Sequence, residues 1–179
     1  MVKAMRLSMC AAAMAVAAVF AAPAASNTTA AAMPWCGADS LSLRTSPPIS
    51  PGEQAYLHFY VILTNSSRQT CTLQGYPGVD LVGPDDPALG PTYRLPRDTG
   101  DVRPVVLAPG ASAASLLAFL PKIGPNGTEP AWPPATILVT PPDSTTQLQT
   151  PWIPGGFTVL RQGDGTHPGG HIGPLQPYA

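Results

Sequence analysis

The segment from Thr64 to Val79 constrains the fold of this chain more than any other. An alternating apolar run ends just before it at Leu63, five polar residues follow at 65–69, and a Gly-Tyr-Pro-Gly corner occupies 75–78. Asparagine and serine side chains hydrogen-bond the local backbone in turns, whereas proline presets φ and glycine supplies a positive φ. The segment therefore predicts a strand, a turn, a second strand, a tight corner and a third strand. It contains no recognisable catalytic or metal-binding motif.

The strand that leads into this segment, residues 54–64, has the clearest period of two. Its odd-numbered side chains are predicted to face a core, and its even-numbered side chains to face solvent or a covering segment. The first set is Leu57, Phe59, Val61 and Leu63, and the second is Tyr56, His58, Tyr60 and Ile62. Cys71 and Leu73 share one face of the next strand, which we expect to be the inward face.

Short extended segments continue along the rest of the chain. Further strands are expected near Leu41–Leu43 and at 79–82, 92–95, 102–107, 136–140, 146–149 and 157–160. Residues 111–119 are rich in alanine and compatible with a helix, but the Pro-Gly turn before them favours a strand. Two long proline-rich loops lie at 84–101 and 121–135. About eight short strands separated by turns indicate an all-β fold, an antiparallel immunoglobulin-like (Ig-like) β-sandwich.

The chain begins with the features of an export signal. Lys3 and Arg6 precede an apolar run at 7–22, and small residues follow up to Ala24. This run is shorter than the roughly 20 residues that a membrane helix needs, so we expect a cleaved helical signal peptide rather than a retained anchor. The predicted layout is a signal peptide at 1–24, a flexible leader at 25–34, a β-sandwich domain at 35–161 and a Gly/Pro-rich tail at 162–179.

Charge and length narrow the class of protein further. Cleavage after Ala24 leaves 155 residues, the size of one domain, and the loss of Lys3 and Arg6 takes the net charge from −1 to −3. No cluster of lysine or arginine remains, which argues against nucleic acid as a partner. We therefore expect a secreted protein, or one of the cell envelope or a periplasm-like space, without a stable membrane span after cleavage.

The cysteines agree with export. Cys10 lies in the predicted signal, which leaves Cys36 and Cys71. Two cysteines in an oxidising compartment most simply form one disulfide, with a stabilising effect of about 3–4 kcal/mol for a loop of this length. A free thiol or half of a metal site is the alternative, but the pair lacks CxxC spacing.

Two histidines and an aspartate near the end of the chain form a second candidate metal site. His167 and His171 are four residues apart, and Asp164 precedes them. Together they form a Zn²⁺ or Cu²⁺ site only if the chain wraps around the ion, because this Gly/Pro-rich segment excludes helical spacing. The ordering would also cost conformational entropy, so we favour a solvated tail and expect no metal and no cofactor. His58 is interpreted as a cross-strand partner, with a binding role as the alternative.

Aromatic residues offer a candidate binding surface. Trp132 and Trp152 lie in proline-rich segments, and Tyr76 lies in the corner at 75–78. If the three rings share an exposed patch, they are suited to grip a sugar or a protein partner. A tryptophan in such a segment more often plugs a loop onto the core, and we favour that interpretation. Motifs of serine hydrolases such as Gly-x-Ser-x-Gly do not occur, so no catalytic residue is predicted.

Two blocks of the sequence resemble one known family. The first comprises Cys36, Leu41-x-Leu43, Leu63–Ser67 and the segment 71–79, and the second is Leu107–Ala113. They resemble the exported actinobacterial, mycobacterial-type domain of unknown function that is numbered four-two-three-two, over about residues 36–161. The resemblance implies a small β-sandwich outside the cytoplasmic membrane with Cys36 paired to Cys71, and no established catalytic residues. The chain departs from lipid-anchored members because Cys10 does not fit a lipobox, which implies secretion.

The sequence therefore favours a secreted, non-catalytic β-sandwich module. We expect it to bind an envelope or extracellular protein or glycan through the loops 84–101 and 121–135, since loops on a rigid sandwich usually provide recognition. The alternative is a metal-binding or hydrolytic envelope protein that uses His58, His167 and His171.

Overall fold

Prolines and glycines divide the chain into short extended segments, and these segments form the strands of a computed structural model. The structure describes residues 33–49, 56–121, 131–153, 155, 157–161 and 169–179. The predicted signal peptide and all of the predicted leader except Met33 and Pro34 lie outside the described residues. The same holds for Asp164 and His167, and for residues 122–130 of the second proline-rich loop.

Within these ranges the chain is all-β, without an α-helix, and every strand pair is antiparallel. A 3₁₀ turn occupies Ala38–Ser40. The strands are β1 (Leu41–Thr45), β2 (Leu57–Asn65), β3 (Cys71–Leu73), β4 (Gly78–Val82), β5 (Thr92–Arg94), β6 (Val105–Leu107), β7 (Ser112–Phe119), β8 (Ala131–Trp132), β9 (Thr136–Thr140), β10 (Leu148–Pro151), β11 (Val159–Leu160), β12 (Gly170–Ile172) and β13 (Gln176–Tyr178).

The larger sheet is built around β2 and β7. Its strand order is β1-β2-β7-β12, and β13 pairs with the same edge of β7 as β12. The ladder between β2 and β7 runs from Leu57 opposite Phe119 to Thr64 opposite Ser112. The prediction of a strand at 111–119 is thus confirmed: long-range pairing with β2 outweighs the helix propensity of its alanines.

The second sheet has the order β10-β9-β4-β5. Two short ribbons, β11 with β8 and β3 with β6, complete the described strands. Buried side chains from both larger sheets belong to one hydrophobic cluster, for example Phe59 and Val61 from β2, Leu81 from β4, and Ile137 from β9. The predicted inward face of β2 is confirmed for Phe59, Val61 and Leu63, and Ile62 is buried on the opposite face as well.

The disulfide joins the beginning of the domain to β3. Cys36 and Cys71 are bonded, with their Cα atoms 5.0 Å apart, and both side chains are buried. The backbone N–H of Cys36 donates to the carbonyl of Thr72 at 3.0 Å, and the N–H of Thr72 donates to that of Pro34 at 2.9 Å. The predicted pairing and the inward orientation of Cys71 and Leu73 are confirmed.

The end of the chain differs from the prediction. The prediction of a Gly/Pro-rich tail from residue 162 onward is wrong for residues 170–178. This part of the chain forms β12 and β13, which both pair with β7. Ile172 and Leu175 are fully buried and belong to the core cluster. Each strand has only three residues, so the glycines and prolines around them concealed their pattern from an analysis based on composition.

Candidate functional site

The outer face of the larger sheet, opposite the core, gathers several aromatic and polar side chains. Alternation along β2 places His58 and Tyr60 on this face. His58 lies opposite Ala118 on β7, and His171 on β12 lies opposite the same alanine from the other side. Tyr60 lies opposite Leu116. Further along β7, the small side chain of Ala114 lies on the same face and lines a depression.

A β-bulge next to this depression shapes one wall. The ladder of β12 ends where Ile172 faces Leu117, and that of β13 begins where Gln176 faces Ala114. Three residues, 173–175, thus face only two on β7, which is the definition of a bulge. The side chain of Leu175 turns into the core, while its N–H donates to the carbonyl of Gly75 at 2.9 Å. Bulges often occur beside functional sites because they redirect side chains.

The result is an open groove with a volume of about 370 Å³. We call it the outer groove, and its lining includes Tyr60, Asp98, Leu116, His171, Gln176 and Tyr178. Volumes of about 300–1,000 Å³ are usual for small-ligand sites. The lining residues come from β2, β7, β12, β13 and the segment before β6, so most of them are held by a hydrogen-bonded sheet rather than by a loop.

Aromatic rings form one end of the outer groove. The ring centroids of Tyr60 and Tyr178 are 5.5 Å apart at an angle of 57°. The guanidinium of Arg44 on β1 lies 5.6 Å from the ring centroid of Tyr178, within cation–π range. Leu116 lies in the lining with 37% of its surface exposed. This end therefore presents aromatic and aliphatic surface to solvent.

Polar groups form the other end. His171 Nε2 lies 3.7 Å from Asp98 Oδ2, and the ring of His171 lies 5.4 Å from that of Tyr56. The Asp98 N–H donates to the Ile172 carbonyl at 2.9 Å, and the Ile172 N–H donates to the Pro96 carbonyl at 3.0 Å. These bonds hold the backbone of Asp98 against β12 and so place its carboxylate beside that strand. Because 3.7 Å is too long for a hydrogen bond, the imidazole and the carboxylate can each bond a third group.

His58 lies on the same sheet face as this polar end, separated from His171 by Ala118. Burial and the nearby charge of His171 both lower the pKa of His58 below its ordinary value, burial being the larger cause. Both effects disfavour the charged imidazolium. The neutral form of His58 is therefore favoured in the folded protein.

Trp132 does not belong to a surface patch. It is 4% exposed, and its Nε1–H donates to the carbonyl of Pro84 at 2.9 Å. The guanidinium of Arg161 stacks 4.5 Å from its ring centroid. A Cβ atom on Gly83 would approach the indole to 2.7 Å, so glycine is required there for the loop to close over the ring. Trp132 thus plugs the loop onto the core, which is the interpretation that the sequence favoured, and it does not contribute to the candidate binding surface.

Trp152 and Tyr76 also make separate contacts. Trp152 is half-buried against Phe59 and Phe119, with ring centroids at 5.6 and 5.2 Å, and its Nε1–H donates to the carbonyl of Phe157 at 2.8 Å. The Tyr76 hydroxyl donates to the carbonyl of Gly100 at 3.3 Å. Across the described ranges no ring contact joins Tyr76, Trp132 and Trp152, so the structure does not bring the three together.

Tyr76 instead lines a different depression, of about 320 Å³, together with Arg94, Arg97 and Asp143. The candidate metal ligands are only partly described: His171 lies in the outer groove, and Asp164 and His167 lie outside the described residues. No group of three or more His, Cys, Asp or Glu side chains arranged to hold a metal occurs in the part of the chain that the structure describes.

Sequence reasoning missed the outer groove because six of its lining residues, among them His171, Gln176 and Tyr178, lie in the segment predicted as a tail. The available signal was the row Tyr56, His58 and Tyr60 at alternate positions of one strand. Such a row on the face away from the core is unusual for a surface that only meets water.

Among the described residues, no helix combines the length and the apolar character needed to cross a bilayer. A comparison with protein families matches residues 36–171 to the Domain of unknown function (DUF4232). Comparisons with curated proteins and with solved structures give no match. The matched region contains both sequence blocks described above, both cysteines of the disulfide, and β1 to β11 with half of the residues that line the outer groove. The chain therefore belongs to the DUF4232 family.

Proposed function

We propose that this protein is a secreted, non-catalytic Ig-like β-sandwich module that binds an envelope or extracellular partner through the outer groove. The observation that supports the proposal most is the groove itself: aromatic surface at one end, a histidine and a carboxylate at the other, and an open mouth on a rigid sheet. The groove replaces the loops 84–101 and 121–135 as the proposed binding surface. Among the described residues of those two loops, only Asp98 lines the outer groove.

The sandwich architecture is supported by the core. The two larger sheets are separate in their hydrogen bonding but share one buried cluster. Two antiparallel sheets that bury their inner faces against each other are the defining feature of a β-sandwich.

Secretion is supported by the disulfide and by the start of the sequence. Disulfides persist mainly in oxidising compartments, and both cysteines of the described residues are used in one bond. The basic residues, apolar run and small residues at 1–24 match the pattern of a cleaved signal.

A non-catalytic role is supported by the chemistry of the groove. Nucleophilic catalysis needs a hydroxyl or thiol in contact with a base. Within the described ranges no serine or threonine hydroxyl hydrogen-bonds to a histidine, and both thiols are oxidised. His171 instead faces Asp98 and Tyr56.

The test uses two matched substitutions of exposed apolar strand residues. Leu116 lies in the groove and is 37% exposed, whereas Val106 lies on β6 outside it and is 56% exposed. Wild-type protein, Leu116→Arg and Val106→Arg are immobilised and incubated with envelope extract and culture medium. We expect a component that wild type and Val106→Arg retain and Leu116→Arg loses.

Thermal unfolding of all three proteins confirms that each is folded at the assay temperature. Equal retention by Leu116→Arg and wild type, or equal loss with both variants, contradicts binding through the groove.

A metal-binding role has one observation in its favour, since His58 and His171 flank Ala118 on one face. His167 would have to complete the site. Titration of the mature protein with Zn²⁺ tests this alternative: stoichiometric binding that is lost in His167→Ala supports it, and absence of binding excludes it.

A further inference from the structure

We propose that the ligand of the outer groove is a neutral oligosaccharide. This inference rests on the proposed function, because it specifies what the same groove binds. It follows from three properties of the lining: the aromatic end, the unfilled gap between two polar groups, and the balance of charge.

The aromatic end suits the apolar face of a sugar ring. The face of an aromatic ring carries partial negative charge, which attracts C–H groups that carry partial positive charge. Tyr60 and Tyr178 meet at 57° with their centroids 5.5 Å apart, so they form a corner rather than a flat stack. Within the described ranges their hydroxyls make no hydrogen bond to the protein, and they remain available to sugar hydroxyls.

The polar end suits neighbouring hydroxyl groups. A carboxylate accepts through two oxygens, and an imidazole can donate or accept. The 3.7 Å between His171 Nε2 and Asp98 Oδ2 leaves the hydrogen-bonding capacity of both groups unsatisfied by each other. Half of the Asp98 side chain is exposed. The Gln176 Nε2–H₂ donates to the carbonyl of Asp101 at 3.1 Å, which leaves the amide oxygen as a further acceptor.

Other ligand classes fit less well. One carboxylate at Asp98 and one guanidinium at Arg44 beside Tyr178 nearly cancel, so the groove lacks the cationic cluster that a phosphate or other anion requires. A peptide that binds by strand addition needs to run along a free strand edge. The groove instead opens on the face of the larger sheet, and among its lining strands only the edge of the three-residue β13 lacks a partner strand in the described ranges. An acyl chain needs a deep apolar cavity, but this groove is open and has a polar rim.

The experiment titrates the mature protein, labelled with ¹⁵N, with neutral gluco-, manno-, galacto- and arabino-oligosaccharides. Backbone and side-chain chemical shifts are followed by nuclear magnetic resonance. We expect saturable shifts at Tyr60, Leu116, His171 and Tyr178 with at least one of these oligosaccharides.

Two variants and a matched control locate the interaction. Tyr178→Ala removes a ring, and Asp98→Asn removes the charge but keeps the oxygen that accepts from the Thr99 N–H. Each should weaken binding at least about tenfold. Asp85→Asn, at an exposed position outside the groove, should leave the affinity unchanged. Unfolding curves of all variants confirm that the domain remains folded.

The outcomes separate this inference from the proposed function. If none of the four sugars shifts the groove while the component retained by wild type does, the oligosaccharide inference is overturned and the binding function stands. If sugars bind but Tyr178→Ala and Asp98→Asn bind as tightly as wild type, the site assignment is overturned. If neither sugars nor any retained component shifts the groove, both proposals fail.

Discussion

At the scale of single residues, Arg161 shows how backbone carbonyls and aromatic rings can hold a buried guanidinium, although its Nε–H has no hydrogen-bond partner among the described residues. The residue is 9% exposed, and its guanidinium donates to three backbone carbonyls, those of Gly90 and Leu89 at 2.6 Å and Thr92 at 2.9 Å. Its planar face lies 4.5 Å from the ring centroid of Trp132 and 5.6 Å from that of Tyr93. A planar group with five donors can serve rings and carbonyls together, which an ammonium cannot.

Replacement of Arg161 should therefore be costly. Arg161→Ala leaves three carbonyls without a donor and opens a gap between two rings, and we expect a loss of about 2–3 kcal/mol in the free energy of unfolding. Arg161→Lys should recover only part of this lost stability. Urea denaturation measures the free energy of unfolding of both variants. Arg103→Ala removes an ion pair between side chains that are 76% and 85% exposed and should change stability little. Equal effects of Arg161→Ala and Arg103→Ala would contradict this role.

His58 predicts a dependence of stability on pH. Its pKa is lowered in the folded state by burial and by His171, so below about pH 6.5, the ordinary histidine value, the unfolded chain binds more protons than the folded one. Stability that is present above that value is lost as the pH falls through it. Because His58 is only half-buried, we expect a small effect. Burial is the larger cause of the lowered pKa of His58, and His171 acts in the same direction.

The measurement is urea denaturation between pH 7 and pH 5. Wild-type protein should lose more stability over this interval than His58→Gln, which cannot titrate at that position. Parallel curves for the two proteins, or a wild type that gains stability on acidification, would show that the sign is wrong.

At the scale of elements, the sequence pattern predicts strands well where they are long and locally marked. β2 and β9 alternate or are rich in β-branched residues, and the turn at 108–110 identifies β7 despite its alanines. β12 and β13 have three residues each and pair with the longer β7, whereas the two-residue β8 pairs with the equally short β11. Their hydrogen-bond partners are distant in the chain, so local propensity contains little information about them.

The distance between paired segments in the chain also explains why only part of the candidate site could be predicted from the sequence. Tyr56, His58 and Tyr60 are visible as a polar row on one strand, but the second half of the outer groove comes from His171, Gln176 and Tyr178, more than a hundred residues later. Only the pairing of β12 and β13 with β7 brings the halves together. The indole of Trp132 was correctly expected as a plug, because aromatic residues between prolines have few ways to cover themselves except by packing on the core.

The terminal strands should be essential to stability. Leu175 is fully buried in the core cluster, and Leu175→Ala should lower the free energy of unfolding by about 2–5 kcal/mol through lost burial and a cavity. Leu89→Ala, at a position that is 40% exposed, is the matched control and should cost much less. The midpoints of denaturation give the stability of the two variants relative to wild type. If both substitutions have the same small effect, residues 170–178 do not belong to the domain core.

At the scale of the whole molecule, both ends of the domain are fastened to its interior. The first described residues are joined to β3 by the disulfide, and the last strands complete the larger sheet. The disulfide closes a loop with a sequence separation of 35 residues. In the chain-entropy model such a loop restricts the unfolded state by about 3–4 kcal/mol, a large share of the 5–15 kcal/mol typical of a domain.

Removal of the disulfide should lower the stability of the domain, and this effect can be measured without any ligand. The double variant Cys36→Ser/Cys71→Ser should lose about 3–4 kcal/mol of stability, and a reductant should lower the midpoint of wild type toward that of the variant. The same reductant should not change the variant, which serves as the control. A double variant as stable as the oxidised wild type would show that the bond contributes nothing to the domain.

The most direct test of the central proposal is hydroxyl-radical footprinting of the native protein with and without the component that wild type and Val106→Arg retain. We predict that the component slows oxidation of Tyr60, His171 and Tyr178, while Trp35, 51% exposed and outside the outer groove, reacts at the same rate in both samples. Protection of Trp35 or of residues 84–95, with unchanged rates at Tyr60, His171 and Tyr178, would contradict a binding site on the outer face of the larger sheet.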